Sequence, residues 1–242
     1  MSYFESRLRV DFEDLDSVYR VLKFCEKLNI SNLVLEPLNN SKYFREEIFH
    51  EIRENTNINL FFRFNLKPRT VKEFKKEIKF YQKVPHILSL ETQVKEIQIQ
   101  AAKDSRVHVL SFSDPINMKT ATPGLISLAK QNDTYIEFSL APIMRKNRAL
   151  QSKNFRILYR FIQLILRMKP NFIISGDFDI PYELRHPRNL SSVCHTLLGI
   201  PLDQAKNAFS KNVELLLSKI KSRRKNKLIQ PGVRLIKGDK KI

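Results

Sequence analysis

The chain has 242 residues, 42% of them hydrophobic with 17 phenylalanines, enough to bury a full core and of ordinary size for one α/β barrel. Against 25 Asp and Glu stand 43 Lys and Arg, a net charge of +18 that favours polyanions, meaning nucleic acid or an anionic membrane surface. The N-terminal MSYFESRLRVDFED is charged from its fifth residue, and the most apolar run, FIQLIL (161–166), is flanked by Arg160 and Arg167, so no signal peptide and no membrane span are expected and a soluble, cytoplasmic protein is.

Short β-type runs alternate with amphipathic segments of helical length. Strands are expected near 5–10, 32–36 (NLVLE), 58–64 (INLFFRF), 86–91 (HILSLE), 107–112 (VHVLSF), 134–139 (TYIEFS) and 171–175 (NFIIS). Between them Leu15, Val18, Leu22 and Cys25, then Phe44, Ile48 and Ile52, Phe74, Ile78 and Tyr81, and Val94, Ile97 and Ala101 recur at helical spacing. Thr70 with Glu73 three residues later forms a capping box, and Thr122-Pro123 sets an N-cap before a proline in the first turn. Leu158, Ile162 and Ile165 form another helical stripe, and helices near 188–197, 202–209 and 211–222 close the chain, with Gly199 and Pro201 as stop signals. Seven strands, most nearly apolar throughout and each followed by a helix, predict a parallel sheet covered on its outside and closed into a TIM-barrel-like (β/α) barrel. The expected organisation is one barrel domain over 1–222 and a basic C-terminal tail over 223–242. Cys25 and Cys194 have no metal or disulfide spacing and are expected as buried thiols in a reducing compartment.

The positive charge is concentrated. Residues 145–160 (RKNRALQSKNFRILYR) contain six bases and no acid, and residues 218–242 contain ten bases against Asp239. In a (β/α) barrel the working side chains lie in loops after the strands. Taken in order, those loops offer Glu36, Lys67 and Arg69, Glu91, Asp114 and Lys119, the bases Arg145, Lys146 and Arg148, and then Asp177, Asp179, Arg185, His186 and Arg188; Glu137 lies within the sixth strand. An enzymatic reading is a metal-dependent phosphoesterase built on Glu36, Glu91, Asp114 and Asp177. Such hydrolases recruit imidazoles, whereas the five histidines here include no H-x-H pair. His86 and His108 are expected as satisfied polar residues near strand starts, and the carboxylates as partners of neighbouring arginines. Phosphate-loop, dinucleotide-loop and nucleophile-elbow motifs are missing, so no cofactor is expected. The binding reading needs bases on a rigid rim. Arg145, Lys146, Arg148, Arg156 and Arg160 meet that need, with Arg156 and Arg160 on one helix face, and arginine can fork onto phosphate oxygens. Arg223, Arg224 and Lys225 extend it into the tail, as a docking arm or as a charged terminus. The interleaved Phe155, Tyr159 and Phe161 are expected in the core, base stacking being their other use.

RVHVLSFSDP (106–115), YIEFSLAPIM (135–144), FIISGDFDIPYELRHPRNL (172–190), LGIPLDQAKNAFSKNVELLL (198–217) and the closing PGVRLIK (231–237) together resemble the barrel-type protein subunit of archaeal and eukaryotic ribonuclease P, called protein component 3 in its archaeal form. Their order and spacing carry the likeness. It implies a barrel related to the polymerase and histidinol phosphatase (PHP) fold without that fold's histidine-rich metal site, and a non-catalytic subunit of an RNA-catalysed endoribonuclease. It further implies that the chain binds and stabilises the ribonuclease P RNA together with a small Pop5-related subunit, protein component 2, and meets pre-tRNA through the holoenzyme. On this likeness Arg106 stands in the family's basic position before the fifth strand and Arg185 in its E-L-R-x-P turn, structural or facing RNA. The chain departs from the family's small Ser-Gly-Ala-type turn by carrying Ser175-Gly176-Asp177, and Asp177 and Asp179 add negative charge there.

Overall fold

The computed structural model of the chain describes residues 2–38, 46–81, 86–144, 147–178, 181–224, 228–230 and 233–234. Seven parallel strands, β1 (Glu5–Val10), β2 (Asn32–Pro37), β3 (Asn59–Leu66), β4 (Ile87–Leu90), β5 (Val109–Ser111), β6 (Tyr135–Ser139) and β7 (Phe172–Ser175), pair in sequence order. The sheet curls into a nearly closed barrel. At the seam between β1 and β7, Ser6 Oγ donates to the Ile174 carbonyl at 3.0 Å and the Glu5 carboxyl accepts from Gly176 N–H at 3.0 Å. Around the outside run α1 (Leu15–Lys27), α2 (Glu46–Glu54), α3 (Val71–Tyr81), α4 (Lys95–Lys103), α5 (Pro115–Met118), α6 (Pro123–Gln131), α7 (Arg148–Met168), α8 (Pro187–Leu198) and α9 (Leu202–Ala208). Among the described residues no helix is long and apolar enough to cross a membrane.

Local chemistry sets the helix ends. Asp14, Thr122 and Asn147 side chains accept from Ser17, Leu125 and Leu150 N–H, satisfying donors that a helix start leaves open. Gly199, at φ +69°, takes the left-handed turn that ends α8. At the start of α3 Thr70 Oγ1 accepts from Glu73 N–H as expected, but Glu73 reaches back to Arg69 N–H at 2.8 Å, one residue earlier than a capping box requires.

The barrel interior is layered because neighbouring strand residues point to opposite faces. Leu33 and Leu35, Phe62 and Phe64, Leu88 and Leu90, and Ile136 and Phe138 join the outer core beneath the helices. The alternate positions line the barrel. At its N-terminal end Phe4, Val34, Phe61, Ile87, Val109, Tyr135 and Ile173 form a separate apolar layer that packs on Val213, Leu216, Leu217 and Ile220 of α10 (Lys211–Arg224). This last helix is a plug under the barrel, fastened by Asn212 Nδ2 to the Phe172 carbonyl at 2.7 Å and by Lys219 to the Asp133 carboxylate at 2.6 Å. Higher in the barrel the inward side chains are polar and charged, so the strands are not apolar throughout as expected; only their outer faces are.

All seven expected strands form, within a residue or two of the expected limits. Among the described residues five elements go beyond the expected set: the short α5, single 3-10 turns at Ala141–Ile143 and Pro181–Glu183, and β8 (Leu228–Gln230) with β9 (Val233–Arg234), an antiparallel pair inside the segment read as a tail. Phe44, expected in the second helix, lies outside the described residues.

Candidate nucleic-acid interface

Two fully buried guanidiniums occupy the centre of the barrel. Arg7 projects from β1, and its Nη2 lies 2.8 Å from Glu36 and 2.9 Å from Glu91. Its Nη1 donates to Ser113 at 2.7 Å and Ser111 at 3.1 Å, and its Nε is 3.3 Å from Asp177. Arg63, on β3, grips Glu137 through both terminal nitrogens at 2.6 and 2.8 Å, contacts Glu36 at 2.9 Å, and donates to Ser89 at 2.9 Å. Above this layer Arg9 Nε binds Asp177 at 2.9 Å, and Asn65 Nδ2 binds Glu91 at 2.7 Å.

Burial opposes the charge of Arg7 and Arg63, but Glu36 and Asp177 around the first and Glu137 around the second outweigh it, so both stay firmly protonated. Burial would likewise raise Glu91, yet Arg7 draws its pKa down to about 2, and Arg63 lowers that of Glu137. Asp177 moves the other way, to about 6, because burial exceeds the pull of Arg7 and Arg9. Glu5 is pushed by burial to about 8 against the N–H groups of Gly176 and Arg7, and so keeps its proton at neutral pH. A Cβ on Gly176 would lie 2.5 Å from the Phe178 ring and 2.7 Å from Glu5 Oε2, which is why this turn needs glycine. Asp177 follows in the left-handed region at φ 51°, a conformation in which short polar side chains are tolerated.

This packing decides the fate of the proposed ligand set. Glu36, Glu91 and Asp177 do converge, but on Arg7, and a divalent ion bound by them would have to displace it. Asp114 instead caps α5 through Ile116 N–H at 2.6 Å. Among the described residues no group of three His, Cys, Asp or Glu side chains is arranged to hold a metal ion. Asp177 is also turned inward and buried, so it does not place its charge on the surface as expected.

The mouth above this centre is a cleft of about 470 Å³, with Arg9, Glu91, Ser113 and Asp177 on its floor. Lys67, Lys119 and Lys153 stand around it, with Ile116, Leu150 and Ile157 as apolar wall. Lys67 is 3.8 Å from Glu91. From this mouth α7 runs down the barrel for 21 residues without a carboxylate. Arg148, Lys153, Arg156, Arg160 and Arg167 are exposed along it, while Leu158, Phe161, Ile162 and Ile165 face the core.

The model of the family described as RNase P subunit p30 matches residues 6–225. The chain belongs to the RNase P subunit p30 family. A chain in a cryo-EM structure of archaeal ribonuclease P with mature tRNA superposes with a TM-score of 0.77 at 17% identity, covering 98% of this chain and 100% of that one. The 5-methylcytosine deaminase from Klebsiella pneumoniae, liganded with 5-fluorocytosine, shares the fold at a TM-score of 0.56 and 10% identity over 93% of this chain and 68% of the deaminase. No curated protein matches. The protein is thus a ribonuclease P subunit on a TIM-barrel-like scaffold.

Within this p30-family barrel the expected basic residues fall into several groups. Lys67 and Lys119 line the mouth, Arg69 lines an adjoining cleft with Lys67, and Arg148, Arg156 and Arg160 are exposed along α7. Arg106 is not part of this surface: it precedes β5, at the opposite end of the barrel, and Asp104 holds its guanidinium at 2.7 Å. Arg185 donates to the Tyr182 and Leu184 carbonyls, both at 2.8 Å, and so ties its own turn together. Arg188 is exposed in the first turn of α8, where His186 caps its N–H. Arg223 and Arg224 end α10, far from the mouth. Arg145, Lys146, Asp179 and Lys225 lie outside the described residues. His108 Nδ1 accepts from Leu88 N–H as a satisfied polar residue, and His86 packs among Phe49, Phe62 and Phe64. Both cysteines are buried, with thiol pKa values pushed by burial to about 12. Missing from the expected set are Arg7, Arg63 and Glu5. Their signal is present as Glu5, Arg7 and Arg9 at alternate positions of ESRLRV, and as Arg63 with the polar Asn65 two residues on in NLFFRFNL, since every second residue of a strand lies on one face.

Proposed function

We propose that this subunit binds the RNA of ribonuclease P through the barrel mouth and the outer face of α7, and stabilises its fold together with a small partner subunit, protein component 2. In this way it supports removal of the 5′ leader from pre-tRNA without an active site of its own. The observation that carries the reading is α7, a rigid 21-residue helix with five exposed bases and no acid, which continues from a mouth bearing Lys67, Lys119 and Lys153. Phosphate contacts of this kind fix position and supply salt-dependent affinity. The archaeal ribonuclease P structure that shares the fold includes tRNA, in keeping with a site in such a particle. The arginine-filled barrel centre supports a scaffold rather than a hydrolase, because its carboxylates are already engaged.

Reconstitution tests this directly. Pre-tRNA cleavage by the RNA component and its other proteins should rise when the chain is added, and no gain would refute the proposal. For binding to about six phosphates, log affinity should fall against log salt with a slope of about −4 to −5. Replacing Arg148, Lys153, Arg156 and Arg160 by alanine should flatten that slope by about 0.7–0.8 for each phosphate no longer neutralised; an unchanged slope removes α7 from the interface.

A further inference from the structure

We infer that Tyr159 is a stacking platform for an unpaired RNA base; this rests on the RNA-binding reading of α7. The three aromatic residues interleaved with the bases of this helix are expected from their sequence to pack together in the core, and the structure separates them. Phe161 is 4% exposed. Phe155 is half-buried against the same core. Tyr159 is 42% exposed, and its ring lies nearly parallel to Phe155, with an interplanar angle of 22° and centroids 6.2 Å apart. The core side of this turn is already filled by Leu158 and Ile162, both fully buried, so Tyr159 is not needed there. Phe155 braces it instead, which limits its freedom before any ligand arrives.

The surroundings select the ligand. Arg156 and Arg160 are both exposed; Arg156, three residues before Tyr159, shares its face, and Arg160, the next residue, flanks it about 100° further round the helix. With no carboxylate anywhere in α7, this patch attracts an anion without competition from its own helix. An apolar partner would have to bury two guanidiniums with nothing to pair them, at a large cost. A nucleotide meets both needs, its phosphates reaching the arginines while its base covers the ring, and every base presents a π-face. A paired base has both faces covered by its neighbours in the helix, so the strand that fits is unpaired, as in a loop, bulge or end.

The test uses the full chain and two probes, a single-stranded RNA oligomer carrying one 2-aminopurine and a blunt RNA duplex of equal length. Tyr159→Ala should weaken the single strand by roughly 5- to 150-fold and leave the duplex unchanged. Tyr159→Phe should bind both as the parent does, and 2-aminopurine fluorescence should be quenched by the parent and not by Tyr159→Ala. The double variant Arg156→Ala/Arg160→Ala should weaken both probes. If that double variant loses affinity while Tyr159→Ala binds the single strand normally, stacking is overturned and the RNA-binding reading stands. Equal loss on both probes from Tyr159→Ala also overturns stacking, since it marks a merely structural residue. If neither variant changes either probe, α7 is not an RNA surface and both readings of it fall.

Discussion

Replacing Arg7 by methionine removes one cation from the middle of the barrel while keeping a long side chain. Arg7 is 1% exposed, and Glu36, Glu91 and Asp177 all lie within 3.3 Å of its guanidinium. Without it at least one of these carboxylates must take up a proton to stay buried. For Glu91, whose ordinary pKa of 4.5 is drawn down to about 2 chiefly by Arg7, protonation at pH 7 costs about 3.4 kcal/mol, at 1.36 kcal/mol per pH unit above 4.5. Loss of the donations to Ser111 and Ser113 adds about 1 kcal/mol each. The expected loss is therefore about 4–6 kcal/mol, close to the range for breaking a buried ion pair from one side, and the melting temperature should fall by about 8–24 °C. The sign of the pH dependence follows. The folded variant holds a proton that its unfolded chain releases above pH 4.5, so the variant gains relative stability as pH falls, and at pH 5 the deficit should shrink by about 2–3 kcal/mol. Urea unfolding of both proteins at pH 7 and pH 5 measures this. A deficit below about 1 kcal/mol, or one that grows on acidification, would refute the view that these carboxylates depend on Arg7.

The Glu5→Gln variant should lose a pH dependence that the parent has. Folded Glu5 keeps its proton up to about pH 8 while the unfolded chain releases it above pH 4.5, so the parent loses up to about 5 kcal/mol between those values and the variant should not; equal slopes in stability against pH would contradict it. In Gly176→Ala the new methyl meets the Phe178 ring and Glu5, an overpacking expected to cost about 1–3 kcal/mol in urea unfolding, whereas an unchanged midpoint would show that the turn relaxes freely.

Much of the fold was legible along the chain because it is written in local terms. Outer strand positions such as Leu33, Leu35, Phe62 and Phe64 are apolar, the helices between them repeat at the period that buries one face, and Thr122, Asn147 and Gly199 act within a turn of their own position. The candidate surface was legible to the same extent, since Arg148, Arg156 and Arg160 lie on one helix and a helix keeps its spacing. What local reading could not supply was the partner of each charge. Arg185 read as structural or facing RNA, and its donations to the Tyr182 and Leu184 carbonyls give it a structural part in its turn; the ion pair of Arg106 with Asp104 was not foreseen. Asp177 read as surface charge, but the turn at Gly176 folds it inward.

By itself the sequence determined an α/β barrel with an excess of positive charge on its seventh helix, because periodicity and net charge are properties of neighbours. Only the tertiary structure decided that Glu36 of β2, Glu91 just after β4 and Asp177 just after β7 close around Arg7, that Glu137 closes around Arg63, and that α10 plugs the barrel floor. Curling seven strands into one ring places these side chains within 3.3 Å or less of their arginines, and whether a carboxylate there meets a guanidinium or remains free to bind something else depends on that ring closure, which no local stretch of residues encodes.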